Sequence, residues 1–257
     1  MKKGFLRFLL LGIVLHACSL LHGQQYLGMS GLIHVPTADM DEAGVARIGM
    51  HFMNREMMPD VDFEVNGKKY HSFTHYLSIT PFRWLELAYT CTAMKLPQEG
   101  TGKIGFYSKD RYFSVKLQPV CEREGKWWPS VAVGVNDPSA SATLSGGVFE
   151  QKNGFNQYFS NIYVALSKHL ELKQHRLGLH LAYRHWKWDY NQKYEGVVGG
   201  LTYQPAFERK LRLMVEYSGN GVNVGADWQP WRFVLLQASL LNGKYFSGGL
   251  CFYLHLL

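Results

Sequence analysis

Past its first two dozen residues, this 257-residue sequence has no uninterrupted apolar run near the roughly 18 residues that a membrane-crossing helix needs. Any residence in a bilayer must therefore come from strands or from an anchor. Cysteine is nearly absent: Cys18, Cys91, Cys121 and Cys251 form no CxxC pair, which excludes a disulfide framework and a thiolate zinc site. The sequence holds no HExxH, P-loop, nucleophile elbow or glycine-rich dinucleotide fingerprint, so the common catalytic templates are missing too. Prolines number only 9, and no segment shows the apolar period of an ordinary helix. Acidic residues are the minority, 20 against 27 basic, but an imbalance this mild gives no reason to expect nucleic acid as a partner.

The opening "MKKGFLRFLLLGIVLHACSLLHGQQ" places Lys2, Lys3 and Arg7 ahead of an apolar run and a small Gly23, the pattern of a secretory signal peptide cleaved after Gly23. Cys18 is a poor acylation site, since His16 is out of place and the apolar run continues past the cysteine. The expected organisation is a signal peptide over 1–23, an N-terminal segment over 24–43 and one β domain over 44–257.

What is abundant is aromatic residues, at 14%, and glycine, with 26. From Gly44 onward the chain divides into about twelve segments of about ten residues with apolarity of period two, the length that crosses a bilayer as a tilted strand. In "HRLGLHLAYRHW" Leu177, Leu179, Leu181 and Tyr183 share one face, and Arg176, His180 and Arg184 the other. The last strand repeats the rule, with Leu250, Phe252, Leu254 and Leu256 alternating against Tyr253 and His255. The turns sort as well. "TPF", "REG", "PAFER" and "QPW" fall on one rim, whereas the long connections, such as "DPSASATLSGGVFEQKNGFNQ", fall on the other. The predicted fold is all-β, a single antiparallel transmembrane barrel with the short turns and both termini on the periplasmic side. Trp84, Trp127, Trp128, Trp186, Trp188, Trp228 and Trp231 would form its interfacial girdles. Arg47, Glu86, Lys116, Arg176, His180, Arg184, Arg212, Glu216 and Asp227 would face the lumen, where opposite charges should pair. The alternative is a secreted sandwich with the leucine-rich face turned to a core.

Just before the first strand stands "GLIHVPTADMDEAGVARIGM", with Gly31, Leu32, Ile33, Pro36, Thr37 and Ala38 as a GLIxxPTA block. A D-x-x-F-x-x-K run follows at Asp110, Phe113 and Lys116, then the strand Pro129 to Asp137. Together these resemble the YjbH-like family of exopolysaccharide-associated outer-membrane proteins, over nearly the whole mature chain. The resemblance implies a Gram-negative outer-membrane barrel that helps or scaffolds exopolysaccharide or capsule export, in contact with outer-membrane lipid, other export components and polysaccharide itself. It implies no enzymatic activity and no cofactor. Where such proteins tend to continue with a glycine-rich stretch, this chain has "PSASATLSGG". Residues 24–43 read either as a strand or turn that seals the barrel, ended by Pro36, or as a plug or docking element. A small-solute channel is the alternative function. A lipid-modifying barrel enzyme is a further one, for which Ser160, Ser167, His169, His185 and His255 are the available residues, with no local spacing that pairs them. A metal site is not expected, since His71 and His75 are too far apart along the chain and His180 has no Asp or Cys neighbour in sequence.

Overall fold

Alternation of apolar and polar residues leaves each segment one face to bury and one to expose, and the chain meets that demand by closing a sheet on itself. The computed structural model describes residues 23–60, 68–98, 100–138 and 157–256. The expected signal peptide with Cys18, and most of the "PSASATLSGG" loop, lie outside the described residues.

Twelve strands appear among the described residues: β1 (Val45–Met53), β2 (Ser72–Phe82), β3 (Leu85–Pro97), β4 (Ile104–Val120), β5 (Ser130–Asn136), β6 (Asn161–Leu172), β7 (His175–Trp186), β8 (Gly196–Gln204), β9 (Leu211–Tyr217), β10 (Val222–Trp231), β11 (Val234–Leu241) and β12 (Tyr245–His255). Each pairs antiparallel with its sequence neighbour, and β1 closes on β12 with Arg47 opposite Tyr253 and Ile48 opposite Phe252. The only helical pieces described are two short 3₁₀ turns, Arg55–Met57 and Asp189–Tyr194, both in the long connections. Closure leaves no unpaired sheet edge.

The short turns are displaced from where the prolines suggested. β2 runs through "TPF" and turns at Arg83 and Trp84; β10 runs through "QPW" and turns at Arg232 and Phe233. The register slips between Ile79 and Phe82, between Leu117 and Val120, and between Trp228 and Trp231. Each slip contains a proline, Pro81, Pro119 or Pro230. Lacking an N–H, proline is accommodated at a ladder irregularity without ending the strand. A second departure is the stretch 93–110, expected as a loop: β3 and β4 extend into it and leave only residues 98–103 between them.

The outward face is apolar, with Leu181, Val197, Leu201, Leu213 and Phe252 all exposed. Trp84, Trp127, Trp231, Phe207 and Phe233 are exposed at the short-turn rim. Trp186 departs from the girdle expectation, since it points inward and is buried. Inside, the wall is lined by Thr74, Ser78, Thr90, Thr92 and Ser114 among the charged residues. Gly49 and Gly134 face inward where Tyr76 and Tyr163 lie, and an added Cβ would come within 2.4 Å of the Tyr76 hydroxyl and 2.2 Å of the Tyr163 ring.

Candidate functional site

Every residue from Gly23 to Asp41 is buried, and its partners come from all round the barrel. Thr90 of β3 donates to the Leu27 carbonyl at 2.9 Å, Ser167 of β6 accepts from Ala38 N–H at 2.9 Å, and Gln237 of β11 donates to the Gln24 carbonyl at 3.0 Å. Only a segment inside the lumen can reach strands on opposite sides. The segment folds back on itself through isolated bridges from Gln24 to Ser30 and from Gly31 to Pro36, with Gly28 at positive φ. It is a plug, not a thirteenth strand.

The inward charges meet this plug. Lys116 lies 3.6 Å from Glu86 on the neighbouring strand, and both also hold Ser30: Glu86 Oε1 accepts from its N–H at 2.8 Å, and Lys116 Nζ donates to its carbonyl at 3.1 Å. Arg212 Nε donates to Asp227 at 2.8 Å, and its Nη2 donates to the Gly31 carbonyl at 3.1 Å. Arg47 pairs with Asp41 of the plug and donates to the Gly23 carbonyl at 3.0 Å. Glu216 pairs with the His34 ring and accepts from His34 N–H at 3.1 Å and Val35 N–H at 3.3 Å. Arg184 takes carbonyls instead, His34 at 2.9 Å and Tyr194 at 3.1 Å, with its guanidinium 4.8 Å from the Trp186 ring. The expectation that lumen charges pair with one another holds for two wall pairs. Arg47, Arg184 and Glu216 lean on the plug, whose partners no local sequence signal reveals: His34 and Glu216 are 182 residues apart. A buried charge costs several kcal/mol unless paired or hydrogen-bonded, so the plug completes the wall's electrostatics.

The family block maps onto this site. Leu32, Ile33 and Ala38 pack with Val35 against Ala132, Tyr163, Ala165, Ala182, Val198 and Met214 of the wall. Gly31 supplies the carbonyl that Arg212 holds, Pro36 closes the inner bridge and Thr37 Oγ1 accepts from Asp39 N–H at 3.2 Å. In the D-x-x-F-x-x-K run, Asp110 and Lys116 point inward while Phe113 is exposed outside. Asp110 accepts from the N–H of Gln157 at 3.4 Å and of Tyr158 at 3.1 Å. Arg176 sits at the short-turn rim, 3.4 Å from Glu171.

The two ends of the lumen are closed differently. At the long-loop end Tyr26 and Leu27 of the plug join Met53, Met57, Met58, Met94, Tyr112, Phe159, Trp186, Tyr194 and Leu241 in one apolar cluster. Beside it, burial and then the neighbouring Asp110 carboxylate push Asp137 up to about 8. At the short-turn end the contacts are polar. Glu122, just past β4, accepts from His169 N–H at 3.0 Å and from the His169 ring. Burial alone would raise the Glu122 carboxyl, but these bonds hold it below the usual carboxylate range.

The residues considered for hydrolysis do not assemble. Ser167 Oγ lies 2.9 Å from His180 Nδ1, but Asp39 addresses that same nitrogen at 3.8 Å, so the ring cannot relay a proton from serine to carboxylate. Ser160 donates to the Asp137 carbonyl at 3.1 Å, and His185, exposed near the end of β7, pairs with Glu195 at 2.7 Å. His255 is exposed at the barrel's end. The structure does bring together one group that the sequence left apart: one ligand atom each from Asp39, His169 and His180 lie within 4.8 Å of one another. The carboxylate missing beside His180 in sequence is supplied by the plug.

Among known proteins, the family model YjbH, described as exopolysaccharide biosynthesis protein YbjH, matches residues 23–256. No curated protein matches. Similar solved structures include outer membrane phospholipase A from Escherichia coli, 13% identical with a TM-score of 0.34, covering 82% of this chain and 95% of that one. An outer membrane channel from Pseudomonas putida F1 is 10% identical with a TM-score of 0.41, covering 86% and 98%.

Proposed function

The chain belongs to the YjbH family of exopolysaccharide biosynthesis proteins, and from that premise we propose that it acts as an outer-membrane helper or scaffold for polysaccharide export, with its own lumen shut. The apolar outward face and the aromatic short-turn rim support the membrane placement, since water would otherwise cover a belt of leucine, valine and phenylalanine. The observation that carries the role is the plug. Among the described residues, 23–41 are buried and held by the wall inside the lumen, where they occupy the space a sugar chain would need. What remains available to partners, among the described residues, is the outside with its exposed rims. Contributing to export by holding other export components suits this geometry better than conducting polymer or solutes.

The test is genetic and chemical together. Deleting the gene should reduce polysaccharide at the cell surface, and the wild-type chain should restore it. Unchanged surface polysaccharide in the deletion strain would overturn the reading. Loss accompanied by uptake of small sugars through the purified barrel would favour the channel instead.

A further inference from the structure

The two histidines at the short-turn end are held in an unusual way. His169 Nδ1 is bonded to the Glu122 carboxylate, and its Nε2 lies 3.7 Å from Asp39 Oδ1. His180 Nε2 lies 3.2 Å from Thr202 Oγ1, and its Nδ1 lies 3.8 Å from Asp39 Oδ2. Each ring thus has its outer nitrogen bonded to an oxygen that can accept its proton, and its inner nitrogen turned toward one carboxylate; on His180 that nitrogen also lies 2.9 Å from Ser167 Oγ, a hydroxyl that an ion would displace. Metal-binding histidines are prepared in this way, because the outer hydrogen bond fixes the tautomer and aims the lone pair.

We propose that Asp39, His169 and His180 bind a zinc-like divalent cation that staples the plug to β6 and β7. Two imidazoles and a carboxylate suit such an ion. A tetrahedral ion at 2.0–2.2 Å from each ligand would set the ligand atoms about 3.4 Å apart. The two rings address different oxygens of Asp39 at 3.7 and 3.8 Å, and the three ligand atoms lie within 4.8 Å of one another, so the side chains would draw in by up to about 1.4 Å around an ion. Position and charge agree. Asp39 is fixed at its backbone, where its carbonyl accepts from Ser30 Oγ at 2.8 Å and from Lys116. The ion would sit among the carboxylates of Asp39 and Glu122, with Lys168 Nζ 3.4 Å from Glu122. His169 is only partly buried, which gives the ion an entry route from the short-turn end. Gly178 keeps the space beside the pair open, since a Cβ there would meet His180 Nε2 at 2.7 Å and His169 Cδ2 at 3.1 Å.

The experiment uses the tag-free, folded barrel in detergent, stripped with chelator and then exposed to Zn2+ alone. The site predicts one zinc retained per chain, and a zinc-dependent rise in the temperature at which the barrel loses its compact gel mobility. Asp39→Asn and His169→Gln should each lose the zinc and the rise. Glu122→Gln, which removes only the positioning carboxylate, should keep the stoichiometry and weaken binding about 10–100-fold. Zinc retained equally by wild type and His169→Gln would overturn the proposal. Should those variants fail to fold, the wild type with Co2+ decides: a visible absorption band of four-coordinate cobalt supports the site, and its absence rejects it.

Discussion

The two ends of the lumen are shut by different chemistry. At the long-loop end the plug tip enters a cluster of methionines and aromatics, where Tyr26 packs on Phe159 with ring centroids 6.3 Å apart. At the short-turn end the plug is held by Arg47, Lys116, Ser167 and the two histidines through ion pairs and hydrogen bonds. Apolar packing depends little on pH or salt, whereas ionic contacts respond to both. The plug is therefore anchored at its tip by a contact that conditions barely reach, and at its base by contacts that protons and cations can alter.

The sharpest way to break this comparison is to weaken the apolar end. Phe159→Ala should destabilise the barrel by about 3–5 kcal/mol, as expected for an aromatic removed from a packed core, and the loss should be the same at low and high salt. Thermal unfolding followed by gel mobility at two ionic strengths measures it; a strong salt dependence would mean that the end is not closed by packing.

Arg47→Met should cost somewhat less, about 3 kcal/mol, the lower bound for breaking a buried pair, because the Asp41 left behind is the less buried partner, its side chain 8% exposed against 0% for Arg47. A loss equal to or larger than that of Phe159→Ala, under the same conditions, would reverse the ranking of the two ends.

The smallest effects are in pH, and the ends should respond with opposite sign. Glu122 has a depressed folded value, so its contribution is present above the ordinary glutamate value of about 4.3 and is lost as pH falls through the folded one. Asp137 is raised to about 8, so its protonated form favours the fold, and stability declines as pH rises from about 3.9 toward that value. Glu122→Gln should flatten the acid limb of a stability–pH curve, and Asp137→Asn the neutral-to-alkaline limb. A curve changed on the same limb by both variants would contradict the assignment.

Much of the wall was legible in sequence because a strand carries its own instruction. Leu179 and Leu181 against His180 and Arg184 need no knowledge of the rest of the chain. The ends of strands were less legible: Pro81 and Pro230 read as turns but occupy ladder irregularities, and Trp186 read as interfacial but closes the lumen. The plug was least legible. "GLIHVPTADMD" has neither strand nor helix period, and its order comes from residues such as Glu86, Ser167 and Glu216, which only barrel closure brings near. The same holds for Asp39 and its histidines, which lie more than a hundred residues apart in the chain.

That the lumen is shut by residues 23–41 can be tested most directly by conductance. Purified wild-type protein inserted in a planar bilayer should hold current at the baseline of the bare membrane, and a variant lacking residues 24–41 that still folds should show discrete open-channel steps. A steady open current through the wild-type barrel, matching that of the deletion, would contradict the account.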